Sequence, residues 1–140
     1  MPFARFAQDR RGAAAVEMAL LAPILLLILG GLFDTSRLVF QTMQVNATAQ
    51  AGVDFALNHP WDAAAVRAAA ESATDLPETV ALPERRIRCV AGGKIVDCAD
   101  PAGGAPYVTV TATLPFVPIT PGAGLAMPEA LTATATARTP

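Results

Sequence analysis

The sequence predicts an α+β protein, with one long N-terminal helix, a short second helix and a small antiparallel sheet. Three patterns indicate this fold class. An apolar run extends from Ala13 to Phe33, helical spacing continues to Leu57, and apolar residues alternate with threonines towards the C-terminus. The 140 residues are 53% hydrophobic, which is too apolar for a disordered chain. Beside the apolar run they leave room for one small domain.

The apolar run is long enough to cross a bilayer as a helix. Its 21 residues would span roughly 31 Å, and the hydrocarbon core is about 30 Å thick. A secretory signal peptide has a shorter apolar stretch followed by small residues, whereas here the small residue, Gly12, precedes the run. Glu17 is unusual in such a helix, because a carboxylate costs about 2.5–3.5 kcal/mol at the centre of a span and less near an interface. It therefore indicates a partner for this charge.

The charges on either side of the run predict its orientation. Arg5, Arg10 and Arg11 precede it, whereas Asp34 and Arg37 roughly cancel just after it. Because basic flanks stay on the cytoplasmic side, we expect the N-terminus in the cytoplasm and the remainder outside, which is the periplasm in a Gram-negative cell. The formal net charge is −2 and becomes more negative without the first 12 residues, so no nucleic-acid partner is expected.

The helical pattern continues beyond the apolar run as a stem. Residues 34–57 contain no proline and a single glycine, and Asn58-His59-Pro60 then predicts the end of the helix. Small residues are frequent in the outer half of the stem: Ala47, Ala49, Ala51, Gly52 and Ala56. They fit close packing against a sheet or neighbouring subunits. They fit equally well the intrinsic preference of alanine for helix.

A second helix is predicted from Ala63 to Thr74. Asp62 is its expected N-cap, and Arg67 and Glu71 are spaced as an i,i+4 ion pair. The segment is only weakly apolar, so we expect it to pack against another element.

Strand patterns follow Pro77 and Pro83, which mark the change to extended structure. Residues 87–91 and 94–98 flank a Gly-Gly pair of the kind that a short hairpin requires. Residues 107–114 and 131–137 both alternate strictly. The first of these two strands is predicted to direct four apolar residues to one face, namely Val108, Val110, Ala112 and Leu114. Four such strands predict an antiparallel sheet with one buried face.

A proline-rich segment, residues 115–121, separates the last two strands. Its sequence is Pro-Phe-Val-Pro-Ile-Thr-Pro. Proline cannot donate a ladder hydrogen bond, so the segment is predicted to be an edge or a crossover loop.

The N-terminal pattern resembles the class III signal of type IV prepilins, which a prepilin peptidase cuts after a glycine on the cytoplasmic side. Gly12 matches the residue before the cut, and Ala13 matches the new amino terminus. Glu17 matches the acidic residue of the mature helix, and Arg10 and Arg11 match the basic leader. The alternative is a signal anchor that happens to start after a glycine.

The longer string from residue 10 to residue 27, RRGAAAVEMALLAPILLL, is similar to the TadE-like pseudopilins of the tight-adherence (Tad, or Flp) pilus system. That family often has a proline in the apolar run, and Pro23 fits. The C-terminal order of an alternating strand, a Pro-Phe-x-Pro-x-x-Pro segment and a final alternating strand also resembles the family. Residues 61–84 match it poorly.

The resemblance implies a pilin-like minor pseudopilin in three parts. Residues 1–12 would be a leader, residues 13–33 a transmembrane helix, and residues 34–140 a periplasmic stem with a small α+β domain. The implied partners are prepilin peptidase, other pilins and pseudopilins, Tad assembly proteins and membrane lipid. The implied location is the inner membrane, with a single pass, and then the pilus. An alternative within this system is a membrane-anchored periplasmic scaffold that organises assembly without entering the filament.

Cys89 and Cys98 are the only cysteines. In an oxidising compartment, two cysteines on facing strands of a hairpin can form a disulfide if the register brings them together. Such a bond would stabilise the domain by roughly 2–3 kcal/mol in the chain-entropy model. Two free thiols, a redox pair and a metal site are the alternatives. The separation is not that of a C-x-x-C motif, and His59 is the single histidine.

No pattern in the sequence predicts catalysis. His59 lies at a helix end, where a capping or solvated role is expected, and Ser36 and Ser72 lack the context of a nucleophile. No cofactor and no metal are expected. A tethered enzyme is therefore the least supported alternative.

Overall fold

The computed structural model describes residues 13–98, 103–120 and 127–139. These residues form two helices and four strands, which confirms the predicted α+β class. The elements are α1 (Ala13–Asn58), α2 (Ala63–Glu71), β1 (Val80–Ala91), β2 (Lys94–Asp97), β3 (Ala105–Pro115) and β4 (Ala130–Arg138). Three residues of the predicted leader and cut, Arg10, Arg11 and Gly12, lie outside the described residues.

The chain divides into two compact units. One, here the N-terminal unit, comprises Met1–Arg37 and Pro118–Met127. The other, here the sheet unit, comprises Leu38–Val117 and Pro128–Pro140. Helix α1 therefore contributes to both, and the connection between β3 and β4 belongs mostly to the N-terminal unit.

Helix α1 is a single helix of 46 residues, which corresponds to a length of about 69 Å. The predicted stem is confirmed and ends one residue later than expected, at Asn58. The side-chain Nδ2 of Asn58 donates to the Asp54 carbonyl (2.8 Å) in the last turn. The His59 ring stacks on Phe55, with ring centroids 4.0 Å apart, and its Nδ1 lies 3.0 Å from the Phe55 carbonyl oxygen. His59 thus caps the helix end, as predicted.

Helix α2 begins where the sequence predicts. The Asp62 carboxylate accepts a hydrogen bond from the Ala64 amide (2.9 Å), which is the expected N-cap. The helix ends at Glu71, three residues before the predicted end at Thr74. The Ser72 amide still makes the helical bond to the Ala68 carbonyl, but the Ser72 hydroxyl donates to the Ala69 carbonyl (2.8 Å), which the Ala73 amide would need in a longer helix. The Ala73 amide donates to the Ala70 carbonyl instead (3.1 Å). Such side-chain bonds to the backbone compete with continued helix.

The four strands form one antiparallel sheet in the order β2-β1-β3-β4. The predicted hairpin and the two alternating strands are confirmed. Strand β1 begins at Val80, seven residues before the predicted start at Ile87, and runs through Pro83. Strand β2 pairs only with Arg88–Ala91, so among the described residues Pro83 has a paired strand, β3, on one side only. An edge of this kind tolerates a residue without an amide hydrogen.

The core of the sheet unit lies between the helices and one face of the sheet. Its buried members come from all of these elements: Val53, Ala56, Val66, Ala70, Ala81, Val108 and Val110. The predicted inner face of β3 is confirmed, because Val108, Val110 and Ala112 are fully buried and Leu114 is 4% exposed. On the opposite face, threonines of β3 and β4 pair across the strands, with Thr109 Oγ1 3.0 Å from Thr136 Oγ1.

Gly52 shows why the outer half of α1 contains small residues. It is buried, and a Cβ atom placed on it would lie 3.0 Å from both Ala70 Cβ and Val110 Cγ1. The close-packing explanation therefore holds at this position, and also at Ala49 and Ala56, which are 1% and 6% exposed. Ala47, by contrast, is exposed.

We expect Gly52→Val to destabilise the sheet unit by about 1–3 kcal/mol, because the branched side chain would overpack the contact with α2 and β3. Thermal unfolding of the full-length protein in detergent would measure the change. Ala47→Val is the matched control, since it adds bulk on the exposed side of the same helix. An equal loss of stability in the two variants would contradict the packing role of Gly52.

Candidate functional site: the N-terminal helix and its clamp

The apolar part of α1 exposes its side chains. Large apolar residues between Val16 and Phe33 are 48–69% exposed. Only 6% of the most apolar 18-residue window is buried, and its mean hydropathy is 2.3. By length and composition, α1 is the one helix among the described residues that could cross a membrane. Exposed apolar surface of this kind is typical of a segment that lipid or another apolar surface covers.

The predicted pairing residues lie at the start of this surface. Ala13 is the first residue of α1, and Glu17 follows one helical turn later, so the two lie on the same side of the helix. Both side chains are exposed, as is that of Pro23, which lies inside the helix. Proline within a helix leaves one backbone carbonyl without its usual donor, a defect that membrane helices tolerate. These three side chains therefore lie on the exposed surface of the helix.

Asp34 forms a buried clamp that the sequence did not predict. Its side chain is 1% exposed. Oδ1 accepts the Ile119 amide (2.9 Å), and Oδ2 accepts both the Thr120 amide (2.9 Å) and the Thr120 hydroxyl (2.5 Å). Arg37 Nη1 lies 3.8 Å from Oδ1. We refer to Asp34 with Ile119 and Thr120 as the Asp34 clamp.

The clamp stabilises the ionised form of Asp34. The hydrogen bond from the Thr120 hydroxyl and that from the Ile119 amide hold the pKa of this carboxyl below its ordinary value of 3.8, although burial opposes them. The Thr120 amide and the Arg37 guanidinium also lower this pKa. The three hydrogen-bond donors replace the water molecules that the carboxylate loses on burial. This explains how the charge can be buried beside an apolar helix.

The absence of a side chain at Gly30 leaves room for the Thr120 side chain beside the clamp. A Cβ atom on Gly30 would lie 2.5 Å from Thr120 Cγ2, so the bound segment lies directly against the helix one turn before Asp34. The predicted loop character of residues 115–121 is confirmed for 116–120, which contain no strand. It is wrong for Pro115, the last residue of β3, and residue 121 lies outside the described residues. The sequence did contain one signal, namely a carboxylate immediately after Phe33 with a single nearby cation.

Cys89 and Cys98 form a disulfide with Cα atoms 5.0 Å apart. The bond joins Cys89, which lies near the end of β1, to Cys98, the residue just after β2. The cysteines are not directly opposite each other, because Cys89 pairs with Val96 in the register. The predicted disulfide is confirmed, and among the described residues it leaves no free thiol.

The sheet unit also carries a cleft of about 270 Å³, which is only partly enclosed. Most of its lining comes from the end of α1 and the turn after it, namely Ala56, Leu57, His59, Pro60 and Trp61. Arg85, Val108 and Thr139 complete the lining. Trp61 is half-buried and packs against the core. Within residues 13–98, 103–120 and 127–139, no three metal-ligating side chains lie together.

These features define a small α+β protein with one N-terminal helix of membrane-spanning length. Residues 12–54 match the family model described as TadE-like protein. The match begins at Gly12 and covers the apolar part of α1 and most of the stem, so the recognition made from the sequence is confirmed there. A TadE-like segment indicates involvement in the Tad pilus system. No curated protein and no solved structure matches the chain.

Proposed function

We propose that this protein is a minor pseudopilin that prepilin peptidase cuts after Gly12 and that acts in assembly of a Tad pilus. The TadE-like match over residues 12–54 carries the proposal, because it starts at the glycine and includes the helix that the cut would leave attached. In this proposal the protein has no enzymatic activity. Its partners are the peptidase, other pilins and pseudopilins, and Tad assembly proteins.

The proposed organisation follows the sequence. Residues 1–12 are the leader, residues 13–33 cross the inner membrane, and residues 34–140 lie in the periplasm. The exposed apolar side chains of α1 support the membrane segment, and the basic residues before it support a cytoplasmic N-terminus. The disulfide supports an oxidising compartment for the sheet unit.

The proposed mechanism is packing of exposed helices. Lipid covers residues 13–33 before assembly, and the apolar helices of neighbouring subunits cover them afterwards. Cutting after Gly12 creates an amine at Ala13, and the exposed Glu17 carboxylate of a neighbour can pair with it. In an apolar environment an unpaired carboxylate is costly, so the pairing favours one arrangement of the helices.

We expect Glu17→Ala to leave processing largely intact and to reduce the amount of this protein in sheared pili by at least about tenfold, because the paired charge is lost. Immunoblots of the sheared fraction and of the inner membrane, from cells carrying an epitope-tagged copy, would measure both effects. Glu129→Ala is the matched control, since Glu129 is an exposed glutamate outside the apolar helix.

Equal recovery of the Glu17→Ala variant and the wild type in sheared pili would contradict the pairing. If the wild-type protein never leaves the inner membrane, the subunit role fails, and the protein is the scaffold of the assembly machine instead.

A further inference from the structure

The sheet unit carries opposite charges at the two ends of strand β1. The residues just before this strand form an acidic turn, residues 71–78, which has three carboxylates and no cation: Glu71, Asp75 and Glu78. The far end of the strand and its hairpin form a basic hairpin, residues 85–97, with four cations against the single carboxylate of Asp97. The cations are Arg85, Arg86, Arg88 and Lys94. Val80 and Ala91, the ends of β1, are about 36 Å apart along an extended strand.

The charges of the acidic turn are available to a partner. Asp75 and Glu78 are exposed. Glu71 is less available, because its carboxylate accepts hydrogen bonds from Arg67 Nε (2.8 Å) and from the Ala81 amide (3.1 Å). These bonds lower the pKa of Glu71 and fix the turn against the start of β1.

The basic hairpin projects beyond the rest of the sheet. Strand β3 begins opposite Arg88, so in the described part of the chain residues 89–91 pair only with β2. A two-stranded ribbon is marginally stable by itself, and the disulfide at its base holds it in place. Arg88 is paired with Asp97 at 3.8 Å, and Arg86 is paired with Glu84. Lys94, beside the tip, is exposed.

Both ends of β1 also expose apolar side chains beside their charges. On the hairpin, Val90 is 64% exposed and Ile95, its partner in the register, is 42% exposed. At the acidic end, Val80 is 41% exposed and Leu82 is 58% exposed. Each end thus combines an apolar patch with one sign of charge, which is a composition typical of a protein interface.

We propose that the basic hairpin of one copy binds the acidic turn of a second copy. The two surfaces lie at opposite ends of the same strand, so one copy offers both. The contact can therefore repeat head-to-tail through successive neighbours, as an open array or a ring, or be made twice within a two-fold pair in which each hairpin meets the other copy's turn. The inference concerns the sheet unit and does not depend on cutting after Gly12 or on entry into a pilus.

A single lysine makes the contact testable. Lys94 is the only lysine in the chain, so the N-terminal amine is the only other amine. A carbodiimide activates a carboxylate, which the Lys94 amine then attacks to form an amide, while the reagent leaves as its urea. Two differently tagged full-length copies would be produced in the same cells, and their membranes would be treated with the reagent. Mass spectrometry would then identify the joined peptides in mixed-tag products.

We expect mixed-tag products that join Lys94 to Asp75 or Glu78. Lys94→Arg should remove these products and leave co-purification of the two tagged copies unchanged, because the charge remains but the amine is lost. Lys94→Glu should lower co-purification about fivefold, the effect of one exposed ion pair of about 1 kcal/mol. Combining Lys94→Glu with Glu78→Lys should restore it.

Three results would overturn the proposal. Products of Lys94 confined to a single tag would show that the contact is not between copies. A link from Lys94 to Asp97 of the other copy would show that two hairpins meet symmetrically. Unchanged co-purification of the Lys94→Glu variant would show that the charges do not hold the copies together.

Discussion

Gly12→Val is expected to leave the protein with all of its first 12 residues in cells that process their other prepilins. Glycine has no side chain and allows backbone conformations that a β-branched residue does not, so valine before the scissile bond should prevent its fit in the peptidase. The uncut chain lacks the amine on Ala13 and keeps Arg10 and Arg11 at the start of the helix. It should therefore fail both to be processed and to assemble. Intact mass of the membrane-extracted protein would show the retained leader.

Ala14→Val is the matched control for this experiment. It adds the same side chain two residues later, within the apolar run, where it should be tolerated and where cutting should proceed. Recovery of Gly12→Val at the mass of the shortened chain would contradict the predicted cut. So would recovery of the wild type with its leader intact while sister subunits have lost theirs.

Asp34→Asn is expected to release the segment that the Asp34 clamp binds. Asparagine keeps one acceptor oxygen but places an NH₂ group where the second oxygen was. This NH₂ group would point at the backbone N–H of either Ile119 or Thr120, and two donors cannot form a hydrogen bond with each other. Buried donors without an acceptor are costly, so the segment should detach. Hydrogen exchange of the Ile119 and Thr120 amides should accelerate by at least about tenfold. Asp54→Asn, which changes an exposed aspartate of the same helix, should leave this exchange unchanged.

The clamp should also respond to pH with a defined sign. The pKa of Asp34 is lowered in the folded state, so its stabilising effect is complete above the ordinary value of 3.8 and is lost as the pH falls through the lowered pKa. After correction for the intrinsic chemical rate, protection of the Ile119 and Thr120 amides in the wild type should decrease in that acidic range. Asp34→Asn should show no such decrease. Protection that is independent of pH in the wild type would contradict the role of the carboxylate.

Local patterns predicted much of the fold. The alternation in residues 107–114 correctly placed Val108 and Val110 in the core, because a strand directs successive side chains to opposite faces. Asp62 marked the start of α2, since an N-cap bond involves only neighbouring residues. The early start of β1 was missed because Pro83 argues against a strand, and only the absence of β2 beside it makes it acceptable.

Of the candidate site, the sequence predicted only the features that depend on residues close together in the chain. The length of the apolar helix and the positions of Ala13 and Glu17 at its start follow from the sequence, because a helix fixes the relation of residues one turn apart. The role of Asp34 does not, because its donors lie 85 and 86 positions further along the chain. The sequence assigned Asp34 only a part in the balance of charges after the apolar run.

The amino-acid sequence by itself determined the α+β class, the helix of membrane-spanning length and the likeness to TadE-like proteins, since each depends on periodicity or on residues close together in the chain. The tertiary structure alone decided three further features. These are the close packing at Gly52, the diagonal placement of the predicted Cys89–Cys98 disulfide in the hairpin, and the burial of the Asp34 charge. Each requires groups from different elements to meet, and no local pattern encodes the geometry of that meeting.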